Sequence, residues 1–263
     1  MAKKKIILNV YTHASRDFQL NFSSGKGNAI NMQTIHTDPT IHTDPKRTLY
    51  LNVLKTLCRI FWGPDIDFCQ DIMDGKFFKL LQDVSGSFGT DMTCATKAAA
   101  QLAGEYEDAE AISAALSDGY ISLFVNDING ISAPLYHSCY LASDSRLMGP
   151  PAMDMINRIE RHGLSISLPG NEPADHLCIE LEYLYYLLDV GWSESSNNHV
   201  QEAVHFAGDS MDGWVCRFCE KITADGRFPF YTISAQLLCS IVRNLSESAG
   251  CLENSGIGID PMP

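Results

Sequence analysis

The chain has 263 residues, of which 45% are hydrophobic and 10% aromatic, enough for one sizeable domain with its own core. Its formal net charge of −13 at pH 7 argues against a nucleic-acid backbone or an anionic membrane surface as ligand and favours cationic partners. No stretch reaches the roughly 20 apolar residues needed to cross a bilayer. The apolar run after Lys3-Lys4-Lys5 stops at Val10, too short for an export signal, so a cytoplasmic protein without stable membrane insertion is expected.

Residues 1–45 read as an N-terminal extension. Gly25, Gly27 and the near-duplicate Ile35-His36-Thr37-Asp38-Pro39 and Ile41-His42-Thr43-Asp44-Pro45 break periodicity, and each Asp-Pro step disfavours helix. This part is expected to be loosely ordered or folded only against the main body, with a short strand at residues 5–10. From residue 46 to 263 the pattern is that of a single all-α domain of about ten helices. Leu49, Val53, Leu54, Leu57, Ile60 and Phe61 share one helical face that ends before Gly63-Pro64. A second helix starts near Asp65 with Ile66, Phe68 and Ile72, and further helices are expected over 77–84, 91–102 and 107–124. Residues 126–135 interrupt the pattern, which resumes over 153–162, 200–206, 213–222 and 230–245. No alternating strand is expected in the body. Leu168-Pro169-Gly170-Asn171 reads as a hinge, and such a connection permits packed halves to exchange between protomers, so monomer and swapped homodimer are both open.

The segment Glu172-Pro173-Ala174-Asp175-His176-Leu177-Cys178-Ile179-Glu180-Leu181-Glu182 carries the most information. Pro173 suits the first turn of a helix, with Glu172 and Asp175 beside its positive end. Leu177, Leu181, Leu184 and Leu188 form one stripe while Ile179, Tyr183 and Leu187 add apolar surface elsewhere, so the helix is expected to be enclosed on most sides. His176 and Glu180, four apart, share one side; Asp175 and Glu182, seven apart, share another. By spacing alone these are either a binding site or an internal pair with a capping carboxylate.

Those residues resemble the hallmark of the TorD/DmsD family of redox-enzyme maturation chaperones. Tyr120-Ile121-Ser122-Leu123-Phe124 and Pro134-Leu135-Tyr136-His137-Ser138-Cys139-Tyr140 resemble that family's other two stretches, in the same order. Weaker likeness extends through Arg47-Thr48-Leu49-Tyr50, Trp214, Phe218 and Phe228-Pro229-Phe230-Tyr231; His137 departs from the acidic residue or glycine common there. The resemblance implies a helical chaperone that binds the twin-arginine signal peptide of a molybdenum- and iron–sulfur-containing redox enzyme and holds the apoprotein until its cofactor is installed. Two guanidinium groups followed by an apolar segment need carboxylates beside an apolar groove. Carried over by position, Phe124, Pro134, Leu135, Tyr136, Ser138 and Tyr140 are expected to wall the peptide and Asp175 and His176 to floor it. Tyr120, Glu172, Pro173, Glu180 and Glu182 are expected to support the motif, with Glu180 orienting His176.

The nine cysteines are odd in number and irregularly spaced, as expected of reduced packing residues. Cys216-Arg217-Phe218-Cys219 is a lone Cys-x-x-Cys, and zinc there would need distant ligands such as His199 or His205. A metal- or redox-active protein using Cys216 and Cys219 with His176 and Glu180 is the alternative reading. Gly86-Ser87-Phe88-Gly89-Thr90 lacks the lysine of a phosphate loop, and no serine sits in a Gly-x-Ser-x-Gly setting. The expectation is therefore a non-enzyme with no cofactor and no bound metal.

Overall fold

The computed structural model describes residues 5–9, 21–23, 44–128, 130–141, 147–167 and 172–253. Ten α-helices lie among them, in agreement with the all-α expectation. Asp44 opens the body: its carboxylate accepts from the Lys46 amide at 2.9 Å and Pro45 takes the first turn, so α1 runs Pro45–Phe61. The face bearing Leu49, Val53, Leu54, Leu57, Ile60 and Phe61 is buried as its spacing predicts. Asp65 caps α2 (Ile66–Met73) and Asp108 caps α5 (Ala109–Tyr120), each accepting from an amide three residues on. Between them lie α3 (Lys76–Phe88) and α4 (Thr93–Glu105).

The helix expected over 107–124 is not continuous. α5 stops at Tyr120 and a wider π-helical turn, Ile121–Val125, follows, closed by the Asn126 amide donating to the Ile121 carbonyl at 2.8 Å. That extra residue turns Leu123 and Phe124 inward and leaves Ile121 and Val125 outside. The body continues through α6 (Pro150–Arg161), α7 (Leu177–Ser193), α8 (Asn197–His205), a second π turn (Phe206–Asp212), α9 (Gly213–Asp225) and α10 (Pro229–Glu253).

A strand does occur in the body, contrary to the sequence expectation. β1 (Lys5–Asn9) pairs antiparallel with β2 (Asn21–Ser23) and parallel with β3 (Leu164–Ser167), giving the order β2-β1-β3 with Ile6 opposite Leu164 and Leu8 opposite Ile166. Four residues are too few for alternation to register in sequence, and β3 is specified by a partner 158 residues away. The hinge expected at 168–171 lies outside the described residues.

α7 is the central element. All twelve residues from Leu177 to Leu188 are buried, including Glu180 and Glu182, and the helix packs on α1 and α8. Its crossing with α8 is set by Gly191: a Cβ there would sit 2.7 Å from Val200 Cγ2 and 3.0 Å from the Val200 amide nitrogen. Behind α7 lies an aromatic core in which Phe124 meets Phe61, Phe218 and Tyr231 with ring centres 5.9, 5.9 and 5.2 Å away. These edge-to-face and stacked pairs join α1, the first π turn, α9 and α10.

Candidate functional site

The motif helix begins four residues later than Pro173 suggests. α7 starts at Leu177, and His176 is its N-cap, with Nδ1 accepting the Cys178 amide at 3.1 Å. Glu172 to Asp175 instead form a turn, closed by the His176 amide on the Pro173 carbonyl. Tertiary pairing overrides the proline signal. The His137 amide donates to the Asp175 carbonyl at 3.0 Å and the Leu177 amide to the Leu135 carbonyl at 2.8 Å, which sets Tyr136 opposite His176 as an antiparallel bridge. The stretches Pro134–Tyr140 and Glu172–Glu182, distant in sequence, are therefore one unit.

Side chains lock that unit. Asp175 Oδ2 accepts from the Ser138 amide at 2.8 Å and from the Ser138 hydroxyl, whose oxygen in turn accepts the Gly149 amide at 3.0 Å just before α6. Asp175 Oδ1 is buried and without a hydrogen-bond partner among the described residues. The Tyr136 hydroxyl donates to Glu172 at 2.7 Å, and the Tyr140 hydroxyl to the Pro134 carbonyl at 2.9 Å. His176 lies flat on Trp62, ring centres 4.3 Å apart, with Tyr136 edge-on.

The side chains of His176 and Glu180 do not pair, which corrects the role expected of Glu180. At the N-cap His176 has left the helical phase that would put it beside Glu180. Glu180 instead receives His137 Nδ1 at 3.1 Å and the Trp214 indole N–H at 3.0 Å, and His137 stacks on Trp214. Glu182 accepts the Trp62 indole N–H at 3.1 Å. Burial decides the charges. It holds His176 down to about 3 and pushes Glu182 up to about 8, the Trp62 donor opposing, and it raises Glu180 against the pull of His137 and Trp214. At neutral pH His176 is an uncharged acceptor, consistent with its capping bond, and Glu182 is largely protonated.

Phe124, Leu135, Ser138, Tyr140, Asp175 and His176 are all buried, and only Pro134 and Tyr136 of the expected peptide wall and floor are partly exposed. In this conformation the expected wall is therefore interior. Phe124 is a core aromatic, and Ser138 and Asp175 are structural ties between loop and helix. Tyr120 likewise packs on Phe124 and donates to the Phe61 carbonyl at 3.2 Å. Trp62, Trp214 and His137 complete the cluster without having been expected there. Sequence marks His137 and Trp214 only as parts of the resembling stretches; that they meet Glu180 is decided by tertiary packing.

The accessible surface beside this unit lies on either side of α6. One open pocket of about 230 Å³ is lined by Met148, Met153, Ile156 and Ile166 and ends at Glu172 and Pro173. A second, of about 320 Å³, sets Asp154, Glu180 and Asp209 around Leu141, Met155 and Phe206, with His137 at its wall. The alternative set of Cys216, Cys219, His176 and Glu180 is not assembled: the two thiols face α10, whereas His176 and Glu180 have the partners given above. No group of three or more His, Cys, Asp or Glu arranged to hold a metal occurs among the described residues.

Fold and site define a helical protein organised around a buried histidine–carboxylate turn. The family model described as nitrate reductase delta subunit matches residues 90–220. Chaperone protein TorD of Vibrio vulnificus (strain YJ016) is 30% identical over 127 residues, covering 47% of this chain and 59% of that protein. Its counterpart in Photobacterium profundum is also 30% identical, covering 47% and 58%. The chain thus spans under two thirds of these relatives' length. A solved structure assigned to redox enzyme maturation in Archaeoglobus fulgidus overlaps 86% of this chain and 99% of its own, at 16% identity and a TM-score of 0.41. Residues 90–220 are thus a TorD-like domain, and the chain has TorD chaperones among its relatives.

Proposed function

We propose that the chain is a maturation chaperone that holds the apoprotein of a molybdenum- and iron–sulfur-containing redox enzyme through its twin-arginine signal peptide, in the cytoplasm before export. The relatives named above are chaperones, and the observation that carries the reading here is the pair of pockets flanking α6. A peptide with adjacent arginines followed by an apolar run needs carboxylates next to a trough of flexible apolar side chains. Asp154, ion-paired with Arg158 at 2.6 Å, and Asp209 offer the first, and Met148, Met153, Ile156 and Ile166 the second. Methionines suit a client range, because their unbranched chains adapt to different apolar sequences. Asp175 Oδ1, buried and unpartnered among the described residues, is a further acceptor for a guanidinium once the Glu172–Asp175 turn loosens. On this reading Tyr136, Pro134, Asp175 and His176 border the peptide, and Phe124, Leu135, Ser138 and Tyr140 hold that border in shape.

Calorimetric titration with a twin-arginine peptide tests this. Met153 is 57% exposed, so Met153→Asp leaves folding intact while placing charge in the trough; it and Asp154→Asn are each expected to weaken binding at least several-fold. Replacing both peptide arginines by alanine should abolish it. Unchanged affinity in both protein variants would refute the siting, and binding indifferent to the arginines would refute the ligand class.

A further inference from the structure

Away from the motif, α9 and α10 bring three thiols together. Cys216 and Cys219, three residues apart, share one face of α9. Cys239 meets them from α10, with its sulfur 3.9 Å from that of Cys216, while Cys219 donates to the Ala235 carbonyl of α10 at 3.1 Å. One turn beyond Cys239, Arg243 reaches across so that Nη2 lies 3.1 Å from the Cys216 sulfur. Asp212 is the facing carboxylate, 3.5 Å from the Cys216 sulfur and 3.8 Å from Arg243 Nε. Cys216 and Cys239 are partly exposed and Cys219 is buried.

We propose that Cys216 and Cys239 form an oxidation-sensitive site, in which a hydroperoxide attacks Cys239 and Cys216 resolves the product into a reversible disulfide between α9 and α10. The Cys239 thiolate displaces hydroxide from hydrogen peroxide, giving the sulfenic acid, and the hydroxide takes up a proton to become water. The Cys216 sulfur then attacks the Cys239 sulfur; the sulfenic oxygen leaves with the Cys216 proton as a second water. Two thiols are oxidised and one peroxide is reduced to two waters. Closing 3.9 Å to a bond of about 2.0 Å asks for roughly 2 Å of side-chain movement, within reach of two rotating cysteines on packed helices.

Chemistry selects Cys239 as the attacked group. The neighbouring Cys219 thiol, the charge of Arg243 and the Cys216 thiol hold it below the ordinary thiol value against burial and Asp212, which favours its thiolate. Burial instead pushes Cys216 up to about 11, Cys69 up to about 11, and Cys58 and Cys178 well up. Cys94 is exposed on α4. The cross-link would form two residues from Trp214, the donor that holds Glu180, so oxidation fixes the helix behind the motif unit. This chemistry stands independently of the peptide reading.

The test uses the intact chain, treated with one equivalent of hydrogen peroxide at pH 7, then acid-quenched, alkylated and digested. Trypsin cleaves after Arg217 and so puts Cys216 and Cys219 in different peptides. The expected product is a Cys216–Cys239 linked pair, lost on treatment with dithiothreitol. In Cys216→Ser, Cys239 should be trapped by dimedone as its sulfenic acid, and in Arg243→Gln the oxidation should slow several-fold. Full alkylation of Cys239 after peroxide, a link from Cys219 instead, or oxidation of Cys94 ahead of Cys239 would each overturn the proposal. The readout on the unsubstituted chain does not depend on any variant folding.

Discussion

His176 should make the fold acid-sensitive, and His176→Asn should remove that sensitivity. The ring is buried against Trp62 and its Nδ1 accepts the Cys178 amide, so protonation loses the cap and places a charge in the core. Its folded value is held down to about 3, against an ordinary 6.5. The sign follows from linkage: below pH 6.5 the unfolded chain binds a proton that the folded chain refuses, so stability falls as pH falls. The loss is roughly 1.4 kcal/mol per pH unit below 6.5, or about 3 kcal/mol at pH 4.5. Asparagine keeps a capping acceptor but loses the stack, costing about 1–2 kcal/mol at pH 7. The buried glutamates tilt the profile the other way, so the informative quantity is the difference between the two proteins. Urea unfolding followed by circular dichroism from pH 8 to 4.5 should show a constant difference above pH 7, shrinking below 6.5 and reversing sign by about pH 5. A difference independent of pH down to 4.5 would refute the argument that His176 is buried and neutral.

Glu182→Gln should act in the opposite direction. The folded carboxyl is raised to about 8 from 4.5, so the native state penalises ionisation across that window, and glutamine should stabilise by roughly 1 kcal/mol per pH unit from 4.5 to 8; equal stabilisation at pH 5 and pH 8 would count against a protonated Glu182. Gly191→Ala should destabilise by about 1–3 kcal/mol in the same unfolding assay, because its Cβ would overlap Val200. Ser138→Ala, which removes the hydroxyl from Asp175 and from the Gly149 amide, should cost about 1–3 kcal/mol, with hydrogen exchange at Gly149 rising first.

Most helices were legible because each carries its own evidence. In α1 the three- and four-residue spacing, the Asp44 cap and Pro45 lie within one local stretch, and in α2 the Asp65 cap likewise adjoins the apolar spacing. Where two local signals compete, tertiary contacts arbitrate. Pro173 argues for a helix start, yet the bridge from Tyr136 to His176 delays it to Leu177. Leu164-Ser165-Ile166-Ser167 becomes a strand only through β1.

For the site, the residues of the motif were visible, but not which of them touch one another. Spacing on an ideal helix pairs His176 with Glu180; placing His176 at the cap gives it to Trp62 and gives Glu180 to His137 and Trp214. The enclosed character of α7 was readable from its apolar faces, since periodicity is a local property of the chain. The partners of its buried carboxylates, the two pockets beside α6 and the thiols joining α9 to α10 were not. Each is a meeting of side chains from separate elements, and only the packing of those elements decides which residues are neighbours and, through burial, which of them carry charge.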